Sequence, residues 1–312
     1  DDTGRVYLSV TGRSFGRGVY DAGASDALRR DDAGVRSLAD RRELTARWIR
    51  DGLVKATPPG SGESVICLTD TDGDGRADQK SVIAGEFNDA LDGPAGGLLP
   101  LGGGSVLFGC TPALWRMEDD NGDWRADRRL PLFQGLGIQS GRGTAGCRAI
   151  TEGPDGRVYF TVADRGVQTV SLEGRRFSLE GEGAVFRCWP DGADLELIAT
   201  GLCDPAGIVV DDRGRIFVVD TSPDAAAARM LYVLPGSDFG WNSRMPDCAV
   251  FVSGTRPSWM LPEAGLLNVR AKGMTIRPRL LNGSRLPELI LADGRADGGL
   301  GPGSLEEKGG GF

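Results

Sequence analysis

The chain has 312 residues and not one of them is histidine. General base catalysis near neutral pH must then come from another group that titrates there, because the usual imidazole is missing. Lysine is nearly absent as well: Lys55, Lys80, Lys272 and Lys308 are the whole set, and the net charge is −8. Nucleic acid and anionic membrane surfaces are recognised by clustered Lys or Arg, and no basic face can be drawn here, so neither is expected as a partner. No apolar run approaches the roughly 18 residues that a membrane span needs. The longest candidate, Gly97 to Cys110, is broken by Pro100 and by further glycines, so no span is expected. The six cysteines, Cys67, Cys110, Cys147, Cys188, Cys203 and Cys248, contain no C-x-x-C pair. That spacing excludes a zinc knuckle, a thioredoxin motif and a c-type haem attachment, and the wide scatter favours free buried thiols over disulfides.

What the chain does have is repetition. The acidic stretch Asp70-Thr-Asp-Gly-Asp-Gly-Arg-Ala-Asp78 returns as Asp119-Asp-Asn-Gly-Asp-Trp-Arg-Ala-Asp127, 49 residues later. The apolar runs before the two copies, Ser64–Leu68 and Ala113–Met117, keep the same phase, and so do Phe87 and Leu136 beyond them. Periods of this size belong to propeller blades or solenoid units, which cannot bury their apolar faces alone. A second signature, a Gly turn feeding a short run of Val, Ile, Phe and Tyr, starts near Asp2, Gly103, Pro154, Asp211 and Gly283. Such runs suit pleated strands, and Gly with Asp or Asn supplies the positive φ of the turns. The expectation is one all-β domain over 1–312, a six-bladed β-propeller whose last blade is incomplete. The chain opens inside a strand and stops where another is due, so it is expected to be a fragment of a larger polypeptide.

One segment breaks the β pattern. Ser37 and Asp40 stand in capping-box-like spacing, Leu44 and Trp48 lie four apart, and Gly52 follows, which predicts a short inserted helix near 37–50 serving as a cover over one propeller face. The Asp31-Asp32 pair before it reads as a solvated turn. Trp115, Trp124, Trp189 and Trp241 read as packing between blades.

The first acidic loop fits a calcium loop, in which alternating carboxylates converge as the chain curls. Asp70, Asp72, Asp74, the carbonyl of Arg76 and Asp78 take the ligand positions, with Gly75 at the turn. Ser81 stands where an EF-hand would carry its bidentate Glu, so a weaker, structural site is expected. The second copy, with Asp119, Asn121, Asp123 and Asp127, has lost one carboxylate to Asn121 and its Gly to Trp124, and is the weaker metal candidate.

The runs Leu68–Asp78, Phe87-Asn-Asp-Ala-Leu-Asp-Gly93, Gly153–Gly166, Gly183–Gly192 and Asp238-Phe-Gly-Trp241, in that order, resemble the propeller of large secreted bacterial proteins labelled membrane-bound dehydrogenase domain. Those are similar to the soluble quinoprotein glucose/sorbosone dehydrogenases. The resemblance spans nearly the whole chain. It implies six blades, calcium, pyrroloquinoline quinone (PQQ) at the channel mouth, oxidation of a sugar or other polyol, export to the periplasm or beyond, and further domains in the parent polypeptide.

Two departures from that pattern bear on chemistry. Where the family carries its general-base His, this chain reads Gly143-Thr-Ala-Gly-Cys-Arg148, and Asp164 is the substitute base to consider. Where the family carries an Arg for the quinone carboxylates, this chain reads Gly201-Leu-Cys-Asp-Pro205. Cys203 removes a bidentate cation and Asp204 adds an anion, a change that disfavours a triply acidic cofactor unless Arg142, Arg148 and Arg165 face the channel. Three functions follow: a PQQ-dependent sugar dehydrogenase-like enzyme with an altered base, a non-catalytic calcium-stabilised propeller that binds a saccharide or protein, and a metal-dependent lactonase-like hydrolase. The hydrolase needs a hub cage drawn from Asp89, Asp164, Asp204 and Asp220.

Overall fold

The computed structural model describes residues 5–11, 26–55, 62–139, 146–221 and 228–244, and the backbone of strands at 265–267, 271–281 and 284–293. Strand β1 (Val6–Val10) precedes helices α1 (Asp26–Ala33) and α2 (Leu38–Arg50), after which β2 (Glu63–Thr69) and β3 (Gln79–Phe87) complete a first antiparallel sheet in the order β1-β2-β3. The second sheet is a meander of β4 (Ala95–Gly102), β5 (Ser105–Cys110), β6 (Ala113–Glu118) and β7 (Arg128–Gln134). The two acidic loops join β2 to β3 and β6 to β7, so the sequence repeat is a repeat of strand, loop and strand.

The third sheet holds β8 (Cys147–Glu152), β9 (Val158–Val162), β12 (Gly183–Cys188) and β13 (Glu196–Leu202), with the short β17 (Ser237–Asp238) added in parallel beside β13. Between β9 and β12 the chain makes a separate hairpin, β10 (Val167–Val170) and β11 (Arg176–Leu179). The fourth sheet holds β14 (Asp204–Val210), β15 (Ile216–Thr221), β16 (Ala228–Val233) and β18 (Gly265–Leu267). Strands β19 (Ala271–Leu281) and β20 (Ser284–Asp293) pair as a last hairpin.

The first strands of successive sheets are neighbours: β1 beside β4, β4 beside β8, β8 beside β14 and β14 beside β19. Sheets arranged radially with their first strands facing a common hub make a β-propeller. Each apolar core lies between consecutive sheets. Val65, Ile83 and Phe87 meet Val106, Phe108 and Met117 across the first pair. Phe133 stacks on Phe160 at a centroid distance of 6.0 Å across the second pair, and Phe160 stacks in turn on Phe186 of its own sheet at 5.5 Å. Val185 and Leu202 meet Val218 and Leu231 across the third. Each fully buried side chain of this kind stabilises by roughly 1.5–3 kcal/mol, and none is buried within its own sheet alone. Close approach at the hub also requires Gly97 on β4, where a Cβ would stand 3.0 Å from the backbone carbon of Ala149 on β8.

The inserted helix forms as the cap predicts: Ser37 accepts from the Asp40 N–H, and α2 buries Leu44 and Trp48. A second helix, α1, corrects the reading of Asp31-Asp32 as a solvated turn. Both residues are helical, and Asp32 is buried in an ion pair with Arg41. Burial of Arg41 required that partner, and its Nε also donates to the Ile138 carbonyl at 2.7 Å. The helix pair therefore packs on the segment 136–139, in which the N–H groups of Gly137, Ile138 and Gln139 donate to the carbonyls of Gly166 and Arg165. That contact brings the helices to the loop that carries Asp164.

Candidate functional site

Five polar side chains gather at one rim of the hub because of how the strands are paired. Arg148 is the second residue of β8, and Asp204 opens the neighbouring hub strand β14. Asp164 lies just past the end of β9, whose end pairs with the start of β8, since Cys147 faces Val162. Asp220 near the end of β15 faces Arg229 at the start of β16. Antiparallel pairing thus puts three strand starts and two strand ends on the same side.

The rim is a chain of paired charges. Arg148 Nε stands 2.7 Å from Asp204 Oδ1. The backbone N–H groups of Cys203 and Asp204 donate to Asp220 Oδ1 at 3.0 and 2.8 Å. Arg229, fully buried, donates to Asp220 Oδ2 from Nε at 2.9 Å and from Nη2 at 2.8 Å. Its remaining N–H groups reach the carbonyls of Phe239 and Gly201, each at 3.0 Å. Burial pushes the Asp220 carboxyl up, against the opposing pull of Arg229 and the Cys203 N–H.

Asp164 has a different environment. Its backbone N–H donates to the Cys203 carbonyl at 2.9 Å, and its Oδ2 accepts from the indole of Trp241 at 2.9 Å. Burial pushes this carboxyl up to about 7. Trp241 and Arg165 restrain the rise, and the charges of Asp204 and Asp220 add to it. A carboxyl pushed up toward neutrality at the hub rim is suited to accept a proton from a hydroxyl. Cys203 beside it is no nucleophile, since burial and the carboxylates of Asp164, Asp220 and Asp204 raise its thiol far above neutral pH.

The predicted residues fall out unevenly. Arg148 and Asp204, both read as cofactor contacts, pair with each other. Arg165 is buried next to Asp164. Arg142 lies outside the described residues, as do Gly143 to Ala145 and Cys248. The hydrolase cage does not assemble. Asp89 is on the surface paired with Arg42, Asp204 and Asp220 are engaged by arginines, and among the described residues Asp164, Asp204 and Asp220 form no group close enough to share an ion. Two rim residues escape the sequence reading. Trp241 reads there as packing, and Arg229 carries no motif; only its place in an apolar strand run, where an unpaired cation is costly, draws attention to it. The five described cysteines are free and buried.

The acidic loops form the second candidate site. Asp70 accepts from the N–H groups of Gly73 and Gly75 at 2.7 and 2.8 Å, which hold its carboxyl below the usual range. The carboxylates of Asp70, Asp72 and Asp78 converge to within 4.8 Å of one another, while Asp74 is outside that group and accepts from the Arg76 N–H at 2.8 Å. The second copy repeats the scaffold: Asp119 accepts from Gly122 and Trp124 at 2.7 and 2.8 Å, and Asp123 accepts from Arg125 at 2.9 Å. There, however, Asn121 Nδ2 donates to Asp127 at 3.2 Å, in the place where Asp72 faces Asp78. Trp124 holds φ at +64°, as Gly75 does at +83°, and Arg5 lies 3.6 Å over its ring.

Fold and rim together define an all-β propeller with a charged hub rim. The chain belongs to the family described as "Domain of unknown function (DUF7133)", whose model matches residues 46–246. Among solved structures it is similar to a glucose dehydrogenase, with a TM-score of 0.52, 14% identity, and coverage of 72% of this chain and 80% of that one. It is also similar to the PQQ-bound aldose sugar dehydrogenase of Streptomyces coelicolor, with a TM-score of 0.48, 17% identity, and coverage of 74% and 75%. No curated protein sequence matches it. No helix among the described residues is long and apolar enough to cross a membrane.

Proposed function

We propose that this chain is a sugar dehydrogenase-like propeller of the quinoprotein type, whose hub takes a neutral sugar or other polyol and uses Asp164 as the acceptor of a hydroxyl proton. The observation that carries this reading is the Asp164 carboxyl, pushed by burial up to about 7 at the hub rim. In a chain without histidine it is a described rim group pushed toward neutral pH, where it can change charge. The same reading makes 1–312 one six-bladed domain with its last blade incomplete, part of a larger exported polypeptide in the periplasm or outside the cell. It also makes Asp70, Asp72 and Asp78 a structural calcium site.

The described rim does not fit PQQ. A triply acidic quinone needs cations with open valences, yet Arg148 is paired with Asp204 and Arg229 with Asp220. Cys203, where a cation would be wanted, faces carboxylates. No hydride step is therefore routed through that group. These paired cations favour a second reading, a calcium-stabilised propeller that binds a saccharide without turning it over.

The test is a titration with PQQ in excess calcium, following quinone absorbance and sugar-dependent dye reduction, beside calorimetry with the same sugars. Dye reduction that Asp164→Asn abolishes supports the dehydrogenase reading. Sugar binding without dye reduction supports the binding module, and the absence of sugar binding overturns both.

A further inference from the structure

The rim network contains a residue that sequence places in the Asp238-Phe-Gly-Trp241 run without showing what it touches. Trp241 is 4% exposed and lies 77 residues from Asp164 in sequence, yet its Nε1–H meets Asp164 Oδ2 at 2.9 Å. Its backbone N–H donates to the Gly201 carbonyl at 3.0 Å. Gly201 holds φ at +75°, and a Cβ there would collide with the Asp238 side chain and the Gly240 nitrogen. The Gly201 carbonyl also accepts from Arg229 Nη2, and Arg229 Nη1 fastens the Phe239 carbonyl at 3.0 Å. Phe239 itself is fully buried and donates its N–H to Thr200 at 3.0 Å. The turn 238–241 is thus clamped on both sides, by the bulge at Gly201 and by a guanidinium whose other face is saturated by Asp220.

We infer that Trp241 is a positioning residue for Asp164, and that Arg229 holds it there by tying the 238–241 turn to Gly201 and Asp220. This inference rests on the reading of Asp164 as the proton acceptor. The indole N–H occupies one lone-pair direction of Oδ2, which leaves Oδ1 as the oxygen available to a hydroxyl. A donor to the ionised form also favours that form, so Trp241 sets both the direction in which the base points and the pH at which it works. The charged and titratable groups facing Asp164 are Arg165 on its own loop, Asp204 on β14, Asp220 on β15 and the Cys203 thiol, which stays protonated. Of these only the Cys203 thiol is a neutral donor, and an S–H is a weaker one than the indole N–H.

The experiment is NMR of the whole chain, following the Asp164 carboxyl carbon and the Trp241 indole N–H as a function of pH. In the unaltered protein both signals should titrate with one midpoint near 7. In Trp241→Phe the Asp164 midpoint should move to higher pH, and in Arg229→Lys it should move the same way with a broadened indole signal. In Asp164→Asn the indole should lose its pH dependence, a readout that survives if Trp241→Phe does not fold. An Asp164 midpoint in the ordinary carboxylate range overturns the proton-acceptor reading itself. A midpoint near 7 in the unaltered chain, with an indole that does not titrate or a carboxyl unmoved in Trp241→Phe, overturns the positioning role alone.

Discussion

Arg148 on β8 and Asp204 on β14 join two adjacent hub strands through a contact of 2.7 Å, with 20% and 15% of their side chains exposed. Because each belongs to the inner strand of a different sheet, the pair holds the rim closed as well as neutralising it. Removing one partner leaves a poorly solvated charge, which is more damaging than losing the pair. Arg148→Met is expected to destabilise by roughly 2–4 kcal/mol, and Arg148→Met with Asp204→Asn by less than Arg148→Met alone. Urea unfolding of the two single variants and the double variant measures the coupling.

Asp164 links stability to pH with a definite sign. Its carboxyl titrates near 7 in the folded chain against 3.8 for the free side chain, so the folded state binds the proton more tightly. Its contribution is complete below about pH 4 and is lost as pH rises through 7. Asp164→Asn should flatten that slope and exceed the unaltered chain by roughly 2–4 kcal/mol at pH 8, with little difference at pH 4. Thermal or urea unfolding across that range decides the matter; an unchanged slope would place the carboxyl in water.

The blades were legible because their signals are local and periodic. Gly turns followed by Val, Ile and Phe runs mark β5, β9 and β15 without tertiary information, and the 49-residue offset places β2 with β6 and β3 with β7. The α2 cap was legible for the same reason. The rim was not, because its meaning comes from pairings between distant strands: Arg148 with Asp204 across 56 residues, and Trp241 with Asp164 across 77. Asp32 shows the same limit at short range. Its neighbours suggest a solvated turn, and only the docking of Arg41 under the Ile138 loop explains its burial.

The N-cap of α2 offers a direct measure of how far the helix pair supports the hub. Ser37 Oγ accepts from the Asp40 N–H at 3.1 Å, and the Asp40 carboxylate accepts from the Arg36 N–H at 2.9 Å. Ser37→Ala should cost about 1 kcal/mol. If α2 braces the 136–139 segment, hydrogen exchange at Ile138 and Gln139 should quicken in the same variant, and exchange in β12 should not change.

The two acidic loops form a natural control pair, because they share a hydrogen-bond scaffold and differ at Asp72 and Asn121. In the first, the carboxylates of Asp70, Asp72 and Asp78 converge to within 4.8 Å of one another; in the second, the Asn121 amide donates to Asp127. Calcium at about ten to a hundred times its dissociation constant should stabilise the chain by about 1.4–2.7 kcal/mol, at the millimolar level expected of a loop without a bidentate Glu. Asp78→Asn should abolish that increment and Asp127→Asn should leave it intact. Asn121→Asp should reproduce the first loop in the second: less stable than the unaltered chain in chelator, because the new carboxylate would face Asp119 and Asp127 unbalanced, and restored by calcium with one more ion bound. Calorimetric counting of calcium in the three variants separates a metal loop from a hydrogen-bonded acidic turn. A calcium increment that survives Asp78→Asn would assign the ion to another part of the chain.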